Sequence, residues 1–176
     1  MSFVSRSGRK CMKENNGAKI YTIGHSNNSL EHLTKLLKEN NVNVLLDVRS
    51  HPYSRFVPQF NRENLERESK QLGFEYKFAG DYLGGKPEDK SCYDGNEVNY
   101  DKIAEKDYYK KAIKRLIEIS QETVTAILCS EENPHACHRH KLIAKTLLDM
   151  GVEVLHIRHN GKVEKAEIVD KQLPLF

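Results

Sequence analysis

The apolar positions of this chain follow two different periods. Residues 19–25 (Lys-Ile-Tyr-Thr-Ile-Gly-His), 42–48, 74–78, 123–129 and 152–157 are short apolar runs rich in β-branched and aromatic side chains, and they predict five β-strands. The run at 42–48 is continuous, as in a strand buried on both faces. Between the runs the apolar spacing widens to three and four. Leu30, Leu33, Leu36 and Leu37 share one helical face after a cap at Asn28 or Ser29, and Asn40-Asn41 ends that helix. Asn61 caps a short charged helix that Gly73 terminates. Tyr109, Ile113, Leu116 and Ile117 mark a helix over 107–121, and a last helix spans 138–150 before Gly151. Asn160-Gly161 reads as a type I′ turn, with a hairpin partner at 162–168.

Strands alternating with helices predict an α/β fold, a mostly parallel sheet flanked by helices with a C-terminal β-hairpin. Counting the five main strands, right-handed crossovers make the order 3-2-1-4-5 the simplest choice. Ligands in such sheets bind at the carboxyl strand ends, where the winding reverses. That order puts the reversal between His25 and Cys129. Residues 79–99 hold Gly80, Gly84, Gly85, Pro87 and Gly95 without periodicity, and a loop of that length in a compact domain usually serves function. Three segments are expected: a disordered lead-in at 1–18, one α/β domain at 19–169, and an exposed tail at 170–176.

With 176 residues, 38% apolar and 30% charged, the chain suits one soluble domain with a solvated surface. No apolar run approaches the roughly 18 residues of a membrane span, and no secretory segment is visible near the start. A net charge of +3 leaves nucleic-acid binding to a local patch. Cys11, Cys92, Cys129 and Cys137 have no framework spacing, so reduced thiols in a cytoplasmic protein are expected.

Candidate chemistry gathers at the strand ends. Residues 128–139 (Leu-Cys-Ser-Glu-Glu-Asn-Pro-His-Ala-Cys-His-Arg) place a strand-end thiol opposite a helix start that holds Cys137, His138 and Arg139, an arrangement suited to binding or attacking an anion. Cys129 is either a nucleophile or a buried strand cysteine. Glu131, with Glu132, is an acid or base, or else a solvated loop carboxylate. His25, after Gly24, is a base or a structural hydrogen-bonder. Asp47 and Arg49 share a strand face and form either a closing ion pair or a prepared anion clamp. Arg55, between Tyr53 and Phe56, suits a phosphate beside a stacked base, or an ordinary packed loop. Arg49, Arg55 and Arg139 are therefore the phosphate-binding candidates, with Asp47, Tyr53, Cys137 and His138 around them. Cys129, Cys137, His138 and His140 could instead suggest zinc, but the usual closely spaced ligand pair is missing and His138 and His140 face different directions, so no metal or cofactor is expected.

Taken together, Thr22 to Ser26, Leu46 to Ser50 with Pro52, Ser54 and Arg55, Tyr82 to Gly85, and Cys129 to Glu131 with Pro134, Cys137, His138 and Arg139 resemble the domain-of-unknown-function family 488. The resemblance spans about residues 20–157 and implies an α/β fold and an intracellular protein, with no established activity. The strand-end Asp-Val-Arg and the strand-end cysteine are also similar to rhodanese-type sulfurtransferases. Those enzymes put an anion-binding arginine a few residues after the cysteine, whereas Arg139 follows Cys129 by ten positions. No tight backbone cradle on one thiol is expected here.

The terminal Gln172-Leu173-Pro174-Leu175-Phe176 is similar to the bacterial sliding-clamp-binding peptide, an extended segment with a polar anchor and apolar pocket-fillers. Its alternative is a tail folded onto the core. The first functional expectation is therefore an anion site for nucleic acid or nucleotide phosphate, in DNA maintenance. The others are a thiol enzyme transferring sulfur through Cys129, and a non-catalytic adaptor recruited by the tail.

Overall fold

The structure, a computed structural model, describes residues 17–168. Most of the expected lead-in and the tail residues Gln172, Leu173, Leu175 and Phe176 lie outside the described residues. A six-stranded sheet forms the centre: β1 (Lys19–Gly24), β2 (Val44–Asp47), β3 (Glu75–Phe78), β6 (Thr125–Cys129), β7 (Glu153–Ile157) and β8 (Val163–Lys165). All pairings are parallel except β7 with β8. The expected α/β class with a terminal hairpin is what the chain adopts.

The strand order differs from expectation. The sheet runs β3-β2-β6-β1-β7-β8, so the fourth main strand lies between the first and second, giving 3-2-4-1-5. Every residue of β6 is buried. An apolar strand without a solvent face is best satisfied in the middle of a sheet, with a neighbour on each edge. Hydrophobic periodicity identifies such a strand but says nothing about its partners. The hairpin turn also differs. Gly161 alone takes a positive φ, and its N–H donates to the Arg158 carbonyl at 2.9 Å. This is a three-residue loop closed by a left-handed glycine, not a type I′ turn.

Helices cover both faces. α1 (Leu30–Glu39) and α2 (Arg62–Leu72) are on one face, where Leu33, Leu36, Leu37 and Leu65 pack with Ile23, Leu45 and Leu128. Ser29 caps α1 by accepting from the His32 N–H, and left-handed Gly73 stops α2. On the other face, α5 (Asp107–Glu122) buries Tyr109, Ile113 and Leu116 with Ile20, Leu46 and Ile127. The helix expected at 138–150 joins that face as a wide π turn, Arg139–Ala144, continued by α6 (Lys145–Asp149). The long loop contains a helical turn α3 (Gly80–Leu83) and a minimal hairpin of β4 (Tyr93–Asp94) and β5 (Glu97–Val98), and a short α4 (Tyr100–Ala104) follows it. Among the described residues no helix is long and apolar enough to cross a membrane.

The chain leaving β1 enters α1 on one face, and the chain leaving β6 enters the π turn on the other. Neighbouring strands with connections to opposite faces leave a crevice between their carboxyl ends. Gly24 pairs with Cys129 there. The reversal therefore stays between His25 and Cys129 although the order changed.

Candidate functional site

Gly24 shapes the crevice. A Cβ on it would lie 1.7 Å from the Glu131 carbonyl oxygen, so the loop after β6 crosses β1 only because the residue beneath has no side chain. The ladder then extends one step beyond the strands, with the His25 N–H donating to the Cys129 carbonyl at 3.0 Å and the Ser26 N–H to that of Ser130 at 2.7 Å.

Asp47 and Arg49 form a buried pair at the end of β2. The Asp47 carboxylate accepts from Arg49 Nε at 2.8 Å, Nη2 at 2.6 Å and backbone N–H at 3.1 Å, and from the Tyr76 hydroxyl at 2.6 Å. Nη2 also donates to the Phe60 carbonyl at 2.7 Å, and Nη1 to His25 Nε2 at 3.1 Å. With Nε2 accepting, the His25 proton is on Nδ1, 2.7 Å from the Ser26 carbonyl. The ring stacks on Phe60 with centroids 4.5 Å apart. Burial, then the Arg49 charge, pushes His25 down to about 4, so it is neutral near pH 7. His25 braces the arginine; both of its nitrogens are already committed.

The second group surrounds two thiols. Cys129 and Cys137 Sγ are 2.9 Å apart, and His138 Nδ1 lies 3.6 Å from the first and 3.7 Å from the second. His138 Nε2 is 3.0 Å from the Val48 carbonyl, so Nε2 carries the proton and Nδ1 turns its lone pair to the sulfurs. Gly85 makes room for this ring, since a Cβ there would lie 2.7 Å from His138 Cβ. The two thiols are hydrogen-bonded to each other. Cys129 is pushed up by its hydrogen bond with Cys137 and by burial, while Cys137 falls to about 7 through that same bond and the Arg139 N–H. Arg139 is fully buried; Nη2 donates to the Glu132 carbonyl at 2.5 Å, and Nε and Nη1 have no hydrogen-bond partner. Burial lowers its pKa, and charge on Cys137 and then Cys129 is the largest effect opposing that shift.

Arg49 of the first group and Cys129, Cys137 and His138 of the second border a cleft of about 280 Å³, while His25, Asp47 and Arg139 lie behind its lining. Glu131, His51 and Lys86 line it as well. Ser50, His51 and Lys86 also border a neighbouring pocket of about 520 Å³ that reaches Tyr82 and Tyr108. The expected residues thus separate into three places. Asp47, Arg49 and His25 form one network, and Cys129, Cys137, His138 and Arg139 form the other beside Glu131. Tyr53 and Phe56 are 74% and 84% exposed on the loop after β2, with the Arg55 guanidinium 5.4 Å from the Phe56 ring centre, and they do not line the cleft. Glu132 is structural. Arg158 binds it at 2.9 and 2.8 Å and holds its carboxyl down at about 2.

Sequence reasoning missed His51, Lys86 and Tyr76. The two glycines beside Lys86 hinted at close backbone approach; nothing local distinguished His51 or Tyr76. It also missed a buried relay in which Thr22 Oγ1 meets His156 Nδ1 at 2.7 Å and His156 Nε2 meets His140 Nδ1 at 3.0 Å.

The model of the family described as "Domain of unknown function DUF488" matches residues 29–146. No curated protein and no solved structure matches the chain.

Proposed function

Since the chain belongs to the DUF488 family, whose description assigns no reaction, we propose a function from the cleft itself: an enzyme that holds a small anionic substrate, of the size of a nucleotide, and acts on it with the Cys129–Cys137–His138 group. The observation that carries this reading is the pairing of sulfur and imidazole donors with cationic groups around one opening at the carboxyl strand ends. Arg49 and Lys86 would attract and orient the anion. Of the two adjoining pockets, the one of about 520 Å³ falls within the usual range for small-molecule sites, about 300–1,000 Å³, and the one of about 280 Å³ lies just below it.

Titration calorimetry at low salt with inorganic phosphate, pyrophosphate, nucleoside monophosphates and a short oligonucleotide tests the reading. At least one phosphate-bearing probe should bind, and Lys86→Glu should weaken it about tenfold or more, about 1.4 kcal/mol. Lys86 is exposed, so the variant should fold normally. If none of these probes binds, or if Lys86→Glu and His51→Ala bind like the wild type, the proposal fails.

A second reading rests on the 2.9 Å separation of the thiols. Cys137 thiolate would take the outer sulfur of a persulfide, RSS⁻, releasing RS⁻. The Cys129 thiol would then displace HS⁻ from Cys137 and close a disulfide, which a cellular thiol reductant reopens.

A further inference from the structure

Three donor atoms meet at the floor of the cleft, and their geometry decides what they can hold. A tetrahedral zinc ion with Zn–S of about 2.3 Å and Zn–N of about 2.0–2.1 Å has S···N edges of about 3.6 Å and an S···S edge of about 3.8 Å. The two S···N separations here are 3.6 and 3.7 Å. Only the S···S edge, at 2.9 Å, must widen, by about half an ångström at each sulfur. All three donor atoms already lie within 4.8 Å of one another.

The surroundings match those of a metal ligand set. A ligating imidazole usually donates its second ring N–H to a carbonyl or carboxylate, which fixes the tautomer and aims the lone pair. His138 makes that contact with the Val48 carbonyl at 3.0 Å. A ligating sulfur usually accepts a backbone N–H, and Cys137 accepts from Arg139 at 3.5 Å. Arg139 itself is fully buried with two nitrogens lacking hydrogen-bond partners, so negative charge on the sulfurs is favoured from behind. Three protein ligands facing an open cleft leave a fourth position for water or substrate, the pattern of a catalytic centre and not of a closed structural one.

We infer that Cys129, Cys137 and His138 bind one zinc ion, with a fourth coordination position open to the cleft beside Glu131. Two thiol protons leave to solvent as the ion enters, so the ion and its ligands sum to neutral. The inference rests on the cleft reading and names its cofactor. It departs from the expectation of no metal, which came from spacing along the chain: the ligands come from a strand end and from the loop before the π turn, and only folding brings them together.

Metal analysis of the full-length protein, purified under reducing conditions from zinc-supplemented medium, should find about one zinc per chain. Cys129→Ser, Cys137→Ser and His138→Ala should each lose it, while Cys92→Ala, outside the cleft, should keep it. Cobalt-loaded protein should show a sulfur-to-cobalt charge-transfer band that weakens in either Cys→Ser variant, a signature that a merely unfolded variant or an adventitious surface ion cannot give. Protein with no zinc, or with zinc that the three ligand variants retain, overturns the inference. So does full alkylation of both Cys129 and Cys137 in the presence of zinc at the rate seen in its absence. Phosphate-probe binding to zinc-free protein would retain the cleft reading without the metal. Zinc binding without any phosphate-probe response would retain the metal without the anion.

Discussion

Replacing Asp47 with Asn should destabilise this protein by about 4 kcal/mol, because it leaves a buried guanidinium without its counter-charge. Asp47 is fully buried and Arg49 is 5% exposed, so solvent cannot take over the lost interaction. The carboxylate accepts three hydrogen bonds from Arg49 and one from Tyr76, between 2.6 and 3.1 Å. Breaking a buried pair from one side typically costs about 3–5 kcal/mol, mostly the penalty on the charge left behind. Set against a typical stability of about 5–15 kcal/mol, that loss lowers the melting point by on the order of 10 °C. Urea unfolding followed by far-ultraviolet circular dichroism measures it, provided the slope with denaturant stays constant. Arg49→Met should be similarly damaging. The double variant Asp47→Asn/Arg49→Met should recover much of the loss, because no buried charge remains. A loss below about 1 kcal/mol for Asp47→Asn, or a double variant as unstable as the sum of the singles, would refute the reasoning.

Three other expectations follow from particular contacts. Gly24→Ala should cost about 3 kcal/mol or more, since the obstacle 1.7 Å from the new Cβ is a backbone carbonyl that cannot rotate away, and a melting curve overlaying the wild type would contradict this. Stability should fall as pH drops below about 6.5: His156, pushed down to about 3 by burial and then by its cationic neighbours, and His25, at about 4, refuse protons that the unfolded chain accepts. Each contributes a slope of about 1.4 kcal/mol per pH unit until its folded pKa is reached, and urea unfolding between pH 7 and about 4.5 should show a shallower slope in His156→Gln. The tail should bind a bacterial sliding clamp with micromolar affinity, about −8 kcal/mol, and deleting Leu175 and Phe176 should abolish capture by an immobilised clamp without lowering the melting point. A lower melting point with no capture by the intact protein would favour the tail packed on the core.

Much of the architecture was legible in the sequence because it depends on local physics. Period-two and period-3.6 patterns report which side of a segment meets the core, and that information is contained within each segment. The five main strands, the helix from Asp107 and the stops at Asn40 and Gly73 follow from it. The strand-end position of His25, Arg49 and Cys129 was legible for the same reason. Pairing was not. Whether β6 joins β1 alone or slides between β1 and β2 depends on contacts between residues about 80 to 100 positions apart, such as Leu46 with Ile127 and Ile20 with Thr125. Side-chain roles were decided later still. Arg49 and Arg139 look alike in sequence, yet one folds against Asp47 while the other is buried beside two sulfurs. The Cys129–Cys137–His138 group shows the limit most clearly. Along the chain its spacing argues against a metal. In space the turn at Pro134–Ala136 folds Cys137 back over the end of β6, and the Val48 carbonyl, just past the end of β2, turns His138 toward both thiols. Residue types are written in the sequence, but the distances between donor atoms exist only once the chain has closed.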